Sequence, residues 1–317
     1  MLISSLRDTE LPTFEDGSIV TIGTFDGVHL GHQQILDQMH DLKKRHPQAR
    51  TVLLSFLPHP RLILFPEQAD LKLLTTNSEK IELLGRYGID HLIWIPFDKN
   101  FALQTAEEFV ENVLKKKLNA KALIVGHDHR FGQGREGSFE FLKSNEDKYA
   151  LEVQQVSRLD LDEVVVSSTQ IRQHLFDGNI PAANALLGYP YLLSGKVVKG
   201  QQLGRKLGFP TANIQIDDPN KLIPPDGIYA TRVNFDNYFF EGLLSIGHKP
   251  TLGDNLERCI EVNIFDFNQE IYGESIAVYF KAFIRPQIKF DDVELMRQQM
   301  ILDKAKAHKI LRREGGQ

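Results

Sequence analysis

Cysteine is nearly absent from this sequence: Cys259 is the single one among 317 residues. One cysteine excludes an internal disulfide and a cysteine-rich metal cluster, and its apolar neighbours favour a buried, unreactive thiol. Positive charge is also in short supply, with a formal net charge of −5 and an isoelectric point near 6.1. We therefore expect no nucleic-acid partner, because the chain lacks a broad basic surface for phosphate backbones.

Long apolar runs are missing as well. No stretch approaches the ~20 apolar residues needed to cross a bilayer, and Met1–Arg7 lacks the charged, apolar and cleavage regions of a signal peptide. We therefore expect a cytoplasmic protein without a membrane partner. Hydrophobic residues make up 42% and charged residues 25% of the chain, as in ordinary globular proteins. The length predicts about two domains.

The first chemically informative segment is Ile22–His32, with the sequence IGTFDGVHLGH. It follows Ser18–Ile22, a β-branched run that predicts a strand, and it precedes a helical pattern of apolar residues. Its glycines permit a tight turn and the close approach of a ligand to the backbone. One helical turn places His29 and His32 on the same side of the loop–helix junction, where free N–H groups and the helix dipole favour phosphate. By itself, an H-x-x-H pair is equally typical of a solvated helix start or an incidental metal site.

The first half of the chain alternates strand-like and helix-like segments. Its predicted strands, near 18–22, 51–56, 91–95 and 122–125, are continuously apolar, which indicates a parallel sheet covered on both faces. Thr105 and Glu108 form a capping box that marks one helix start. Ligands bind beyond the carboxyl ends of the strands in such sheets, so we expect three loops to converge on one crevice. These loops are Gly23–His32, Pro58–Pro60 and the segment from Gly126 onwards.

Two further segments carry candidate ligand-binding side chains. The glycine-rich loop Gly126–Gly137 contains aromatic and imidazole rings suited to stacking on a flat ligand. A metal site at His127–His129 is the less favoured alternative, because adjacent side chains rarely point at one ion. Downstream, Val166–Arg172 (VSSTQIR) predicts a helix start with hydroxyls at its cap and an arginine in its first turn. This pattern is typical of a plain helix cap and also suits a triphosphate clamp.

The periodicity changes near Gly188–Pro190. The segments that follow are strand-like and separated by turn residues, which indicates an antiparallel barrel, and a final helix is predicted from about Asp291. The predicted strands are 191–198, 227–233, 241–246, 261–267 and 275–283. We predict two domains, residues 1–185 with a parallel α/β sheet and residues 186–317 with the barrel.

The second chemical segment is Gly200–Asn213, with the sequence GQQLGRKLGFPTAN. Its glycines expose backbone N–H groups and Arg205 and Lys206 add positive charge, as in a phosphate-binding loop without Walker spacing. In an extended chain Thr211 and Asn213 face the same side, and their oxygens are hard ligands suited to Mg²⁺. A glycine-rich structural turn explains the same segment equally well.

Glu261 stands out within the run Glu261–Phe267. Alternation along a strand places Glu261, Asn263 and Phe265 on one face. An acidic residue beside apolar ones is explained either by an exposed strand end or by a general base that deprotonates a hydroxyl. Transfer of a phosphoryl group from ATP to an alcohol needs such a base, together with a phosphate cradle and Mg²⁺.

Four motifs in the first half together resemble the adenylyltransferase module of bacterial bifunctional riboflavin kinase/FMN adenylyltransferases, also called FAD synthetases. They are GTFDGVHLGHQ, SFLPHP, GHDHRFG and SSTQIR. The resemblance implies a Rossmann-like nucleotidyltransferase domain in which His29, His32 and Arg172 stabilise charge on the reacting phosphates. The residues that it implies for ATP binding are Gly23, Thr24, Phe25, Asp26, Gly31, Ser168 and Thr169. Those that it implies near flavin and nucleotide are His59, Asp128, Arg130 and Phe131. The family usually has Phe where this chain has His129.

The second half resembles the riboflavin kinase module of the same family, through GxxLGRKLGFPTAN, DGIYA, SIGxKPT and EVNIFDF…IYG. The resemblance implies that Glu261 is the base for the ribityl hydroxyl, and that Thr211 and Asn213 bind Mg²⁺ with the nucleotide. The residues that it implies for ATP binding are Gly200, Gly204, Arg205, Lys206, Gly208, Thr211 and Asn213.

The resemblance runs from Ile19 to the final helix and implies a bifunctional transferase that uses ATP, riboflavin and FMN as substrates, with Mg²⁺. We expect a monomer or weak homo-oligomer. Two alternatives stay open: an enzyme with only one active module, and a non-catalytic flavin or nucleotide sensor. The presence of His29, His32 and Glu261 argues against a sensor, because a sensor needs no catalytic base.

Overall fold

The computed structural model describes residues 1–9, 11–68, 71–161, 164–200, 204, 208–248, 258–290 and 292–313. The chain forms two compact units, Met1–Ser167 and Ser168–Gln317. The first holds a parallel sheet and the second a closed antiparallel barrel. Both parts of the predicted fold class are therefore confirmed.

The sheet of the first unit has six strands in the order β1-β4-β3-β2-β5-β6, and every pairing is parallel. Its four inner strands are largely buried and apolar because helices cover the sheet, whereas the two edge strands are partly exposed. The five residues of β2, for example, are all buried. The strands are β1 Leu2–Ser5, β2 Ser18–Ile22, β3 Arg50–Leu57, β4 His91–Pro96, β5 Ala120–Gly126 and β6 Glu152–Val156.

The helices of the first unit begin at recognisable caps. Thr105 and Glu108 form the predicted capping box, and Thr76 with Glu79 forms a second one. After α5 the same helical path continues with π geometry over Val110–Lys117. The helices are α1 Leu30–Arg45, α2 Pro60–Leu64, α3 Asn77–Arg86, α4 Lys99–Ala102, α5 Ala106–Phe109, α6 Phe139–Ser144 and α7 Glu146–Tyr149. There are 3₁₀ turns at Pro66–Gln68 and Gln133–Arg135. Two short strands, β7 Asp160–Leu161 and β8 Val164–Val165, pair with each other.

Strands β3, β2 and β5 lie side by side at the centre of the sheet. The three loops singled out from the sequence follow these strands, so they leave the same edge of the sheet. The topology therefore brings together the segments that sequence reasoning expected to converge.

The second unit begins with two helices, α8 Ser168–Phe176 and α9 Ile180–Leu187, which pack on each other. The barrel that follows has the strand order β10-β13-β12-β11-β14-β9. Its strands are β9 Leu192–Val198, β10 Ala212–Gln215, β11 Gly227–Phe235, β12 Tyr238–His248, β13 Arg258–Ile264 and β14 Ser275–Arg285.

The strand around Glu261 differs from its predicted bounds. It begins at Arg258 and ends at Ile264, because the chain turns at Asp266 with φ +52°. Phe265 lies beyond the strand, where its N–H donates to the carbonyl of Glu241. Glu261 and Asn263 share the strand as expected, and Phe265 directly follows its last residue.

The last helix, α10 Val293–Arg313, packs against the outside of the barrel. Its buried Ala307 and Leu311 join the barrel's apolar cluster. Arg285 at the end of β14 donates to Asp303, whose side chain is 3% exposed, at 2.6 Å. Across the described ranges, no helix combines the length and apolarity needed to span a membrane.

Candidate active sites

The turn between β2 and α1 is tightly constrained. Gly27 has φ +85°, and Phe25 and Val28 adopt positive φ values of 47° and 37°, which non-glycine residues rarely do. Asp26 is 2% exposed and accepts hydrogen bonds from the backbone N–H groups of Leu74 and Thr75. Asp26, predicted to bind ATP, therefore ties the turn to the segment that precedes α3.

His29 and His32 stack on each other at the start of α1. Their ring centroids are 3.7 Å apart with an interplanar angle of 16°. His29 is the N-cap, and its Nδ1 accepts the backbone N–H of His32 at 3.4 Å. This assigns the proton of a neutral His29 to Nε2, which leaves that atom as a donor. The helix start supplies further N–H groups for an anion.

His32 is held in its neutral form. Burial lowers its pKa well below the ordinary value of 6.5, and the nearby His29 and Lys80 lower it further. Its Nδ1 is buried and has no hydrogen-bond partner among the described residues. His32 thus presents an uncharged imidazole, which is suited to donating a hydrogen bond to a phosphate oxygen.

Phe25 supports this pair from behind. Its ring is 1% exposed and lies 4.7 Å from the ring of His32. A Cβ atom on Gly23 would approach the Phe25 ring to 3.1 Å, so a side chain at position 23 would press on it. Gly31 lies beside the ring of His29, and the carbonyl of Thr24 accepts a hydrogen bond from Lys80.

Lys80 is a charged residue of this region that sequence reasoning missed. It lies on α3 and is 6% exposed, and its Nζ donates to the carbonyl of Thr24 at 2.7 Å. The ammonium also lies 5.4 Å from the ring centroid of Trp94. The available signal was helical spacing, since Lys80 shares a face with the buried Leu83 and Leu84.

The loop after β3 places His59 at the N-cap of α2, where its Nδ1 accepts the N–H of Arg61 at 3.2 Å. Its side chain is half-buried. His59 therefore fixes the direction of the chain at this edge.

The loop after β5 is anchored by Phe131. This ring is 9% exposed and packs on Phe109 with centroids 5.5 Å apart, and its backbone pairs with Gly137. Phe131, predicted to lie in the flavin and nucleotide loop, packs in the core cluster of the unit. Asp128 and Arg130 are exposed.

His129 lies in the same loop, two residues before Phe131. Its ring stacks on Phe131 at 5.8 Å, with an interplanar angle of 22°. Burial lowers the pKa of His129 to about 4, so the ring is neutral at physiological pH. His129 thus acts here as an aromatic ring packed on Phe131.

Ser168, Thr169 and Arg172 lie on the first turns of α8, in the second unit. The side chains of Ser168 and Arg172 are half-buried and that of Thr169 is exposed. Ile171, on the same turns, is fully buried. The hydroxyls and the guanidinium are thus carried on the polar face of this helix.

A polar cluster lies where β10 meets β13. Thr211 Oγ1 donates to Glu261 Oε2 at 3.1 Å, and Asn213 is the register partner of Glu261 across the two strands. Asn263, one pleat further, donates to the carbonyl of Pro210 at 2.6 Å and so fixes the chain before Thr211. Sequence reasoning did not assign Asn263 a role, although its alternation with Glu261 was visible.

The described glycines near this cluster leave little room for a side chain. A Cβ atom at Gly200 would lie 2.2 Å from Nδ2 of Asn213, and one at Gly204 would lie 2.3 Å from the carbonyl oxygen of Phe209. Gly208 has φ +81°. Arg205 and Lys206, predicted to add positive charge here, lie outside the described residues.

Comparison with known proteins agrees with both halves of the sequence interpretation. The family model for FAD synthetase matches residues 11–170, and that for riboflavin kinase matches residues 187–311. A bifunctional riboflavin kinase/FMN adenylyltransferase of Buchnera aphidicola subsp. Schizaphis graminum is 38% identical, over 92% of this chain and 94% of its own length. That of Haemophilus influenzae is 36% identical, over 90% and 92%.

Among solved structures, a crystal structure described as a macrolide-efflux protein from Streptococcus pneumoniae superposes with a TM-score of 0.88 and 33% identity. It covers 97% of this chain and 99% of its own. Relatives of this identity and coverage, together with the two family models, show that the chain belongs to the family of bifunctional riboflavin kinase/FMN adenylyltransferases.

Proposed function

We propose that this protein carries out both reactions of FAD synthesis. One module phosphorylates riboflavin to FMN with ATP, and the other joins FMN to the adenylyl group of a second ATP and releases pyrophosphate. The family supports both activities. The observation that carries the proposal is that each compact unit holds its own assembled polar cluster, the His29–His32 pair in one and the Thr211–Glu261 pair in the other.

We assign the adenylyltransferase to residues 1–185. An oxygen of the FMN phosphate attacks the α-phosphorus of ATP, and the bond from that phosphorus to the bridging oxygen breaks as pyrophosphate leaves. His29 and His32 donate hydrogen bonds to phosphate oxygens, and Arg172 adds positive charge. The ATP contacts that we propose are Gly23, Thr24, Phe25, Asp26, Gly31, Ser168 and Thr169.

In this module Asp26 and Phe25 also hold the turn, because both are buried. The flavin and nucleotide side of the site is proposed to include His59, Asp128 and Arg130, with Phe131 anchoring the loop from the core. Catalysis needs no protein nucleophile. It rests on positioning and on preorganised donors.

We assign the kinase to residues 186–317. The ribityl hydroxyl attacks the γ-phosphorus of ATP, the bond to the oxygen bridging to ADP breaks, and the hydroxyl proton passes to the carboxylate of Glu261. The ATP contacts that we propose are Gly200, Gly204, Arg205, Lys206, Gly208, Thr211 and Asn213. Glu261 already accepts a hydrogen bond from a hydroxyl, that of Thr211, which is the role that the base has towards substrate.

The donor set of this cluster fits Mg²⁺. Hydroxyl, amide and carboxylate oxygens are hard ligands, and they converge from Thr211, Asn213 and Glu261. We propose that Thr211 and Asn213 hold the ion. When bound, Mg²⁺ neutralises charge on the transferred phosphoryl group.

The direct test is to incubate purified protein with riboflavin and Mg-ATP and to separate the flavins chromatographically. FMN and FAD together support two active modules. FMN alone indicates a single active kinase, and neither product indicates a sensor. We further propose that the protein is cytoplasmic, is a monomer or weak homo-oligomer, and has no nucleic-acid partner. Size-exclusion chromatography with and without DNA tests the oligomeric state and the absence of DNA binding. The net charge of −5 supports the absence of a nucleic-acid partner.

A further inference from the structure

Lys80 is a buried cation with no part in the reaction described above. Lys80 is 6% exposed and lies on the face of α3 that also carries the buried Leu83 and Leu84. Lysine is rarely buried to this extent, because its ammonium loses hydration. Burial lowers the pKa of Lys80 to about 8, and the charge of Asp26 opposes that shift. The ammonium is thus retained at neutral pH at an energetic cost that a leucine would not incur.

The ammonium lies directly behind the H-x-G-H turn. It donates to the carbonyl of Thr24, which also accepts the hydroxyl of Ser55 at 3.2 Å. Thr24 immediately precedes Phe25, the residue with φ +47° whose ring supports His32. Fixing the Thr24 carbonyl fixes the peptide plane that begins Phe25, and therefore the position of its ring.

Lys80 also acts on His32 through space. The positive charge of Lys80 is one of the causes that lower the pKa of His32, after burial and the neighbouring His29. The titratable groups that face this centre are therefore Asp26 on the turn, His29 and His32 on α1, and Lys80 on α3. From β4 the facing group is the Trp94 ring, which does not titrate.

We propose that Lys80 is a positioning residue for adenylyl transfer: its buried ammonium fixes the Thr24 carbonyl and, through Phe25, holds the His32 ring stacked on His29. This inference rests on the proposed adenylyltransferase function. The charge adds positive potential below the turn that receives phosphate. A neutral residue of the same length would fill the volume but would neither bind the carbonyl nor supply the charge.

The kinetic test compares Lys80→Met, Lys80→Arg and the exposed control Lys44→Met in the full chain. FAD formation from added FMN and Mg-ATP is measured between pH 6 and 10, with riboflavin phosphorylation in the same samples as the internal control. The wild-type rate is expected to fall as pH rises through about 8, where Lys80 loses its proton. Lys80→Met should lower kcat about 10–10²-fold with little change in KM for ATP, and should lack that alkaline limb.

Lys80→Arg should keep most of the rate and shift the alkaline limb beyond the measured range, because guanidinium stays protonated. Lys44→Met should behave as wild type, since that side chain is 78% exposed. Wild-type kcat and pH profile in Lys80→Met would overturn the proposal. So would an alkaline limb near pH 8 that persists in Lys80→Arg.

A second measurement, by NMR, requires no enzymatic turnover and compares wild type only with the charged variant Lys80→Arg. In ¹⁵N-histidine-labelled protein, the ring resonances of His32 should shift with a midpoint near pH 8 in wild type and should not do so in Lys80→Arg. Identical His32 resonances in the two proteins across pH 7–10 would overturn the coupling. A wild-type protein that makes no FAD but shows this midpoint would refute the proposed function while leaving the link between Lys80 and His32 in place.

Discussion

Replacing Glu261 with Gln is the sharpest test of the kinase assignment. Gln keeps the length of the side chain and a carbonyl oxygen, so the hydroxyl of Thr211 still has an acceptor at the position that it reaches at 3.1 Å. Only the charge and the ability to take a proton are removed. A hydrogen bond to a charged group contributes about 1.5–3 kcal/mol and one between neutral groups about 0.5–1.5 kcal/mol, so the structural cost is on the order of 1 kcal/mol.

The expected catalytic cost is larger. Loss of a general base lowers rates about 10²–10⁴-fold, which corresponds to about 2.7–5.4 kcal/mol at 1.36 kcal/mol per decade. A loss of this size separates the role of a base from a weakened contact with Thr211. Because the half-buried carboxylate lies in the second unit, adenylylation of added FMN should be unaffected.

The assay follows FMN from riboflavin and FAD from FMN in parallel for wild type, Glu261→Gln and Glu274→Gln. Glu274 is an exposed carboxylate of the same unit and serves as the matched control. Thermal unfolding of each variant reports the structural cost. FMN formation by Glu261→Gln at the wild-type rate would refute the reasoning that this carboxylate takes the hydroxyl proton.

The remaining predictions concern the other module, the domain boundary and pH. His29→Ala or His32→Ala should lower FAD formation about 10²–10³-fold, so that FMN accumulates when riboflavin is supplied; unchanged FAD output from both would show that the turn is only structural. A fragment 168–317 should fold by circular dichroism and make FMN but no FAD, whereas 183–317 should unfold at lower temperature, and equal stability of the two would contradict this. The free energy of unfolding in urea should fall between pH 7 and 5, and less steeply in His91→Gln; identical slopes would exclude His91 as a contributor.

The fragment prediction follows from the packing of α9. We expect from the sequence that residues from about Ala183 onwards fold alone and have kinase activity. Ile180 and Ala183 are fully buried, and Asn184 bonds the carbonyl of Phe280 on β14 at 2.9 Å. A start at Ala183 removes the first turn of this helix, whereas a start at Ser168 keeps α8 and α9 whole.

The sign of the pH prediction follows from the shift of His91. Burial, then the charges of Arg50 and the N-terminus, lower the pKa of His91 in the folded state. The unfolded chain therefore binds the proton first, at an ordinary histidine pKa of about 6.5. The contribution of His91 to the free energy of unfolding is therefore fully present above a pH of about 6.5, and it is lost as the pH falls towards the pKa of His91 in the folded state. Gln at this position removes the titration and keeps a donor towards Ser4, which His91 Nε2 contacts at 2.9 Å.

Local patterns in the sequence determined the elements and most of the candidate sites. The β-branched run, the glycine turn and the H-x-G-H spacing predicted a strand, a loop and a helix start because each depends on contacts within a few residues. The same holds for the capping box at Thr105 and for the change of periodicity near Gly188–Pro190. The family motifs then extended these elements to two activities.

Contacts between distant segments were decided only by the tertiary structure. Asp26 accepts hydrogen bonds from the backbone of Leu74 and Thr75, which are 48 and 49 positions away. Phe131 became a core residue because it packs on Phe109. The spacing of residues along the chain does not predict these contacts between distant residues, since they depend on how the helices cover the sheet.

The kinase cluster shows both contributions in one place. Alternation predicted that Glu261 and Asn263 share a face, and that Thr211 and Asn213 do too, because the strand repeat is two residues. Which strand lies beside which is set by closure of the barrel, and it brings Thr211 within hydrogen-bond distance of a carboxylate 50 residues away. Helical spacing places Lys80 on one face with Leu83 and Leu84, but this pattern alone did not identify it, because lysine side chains are ordinarily solvated. Only the packing of α3 behind the turn places its charge next to His32.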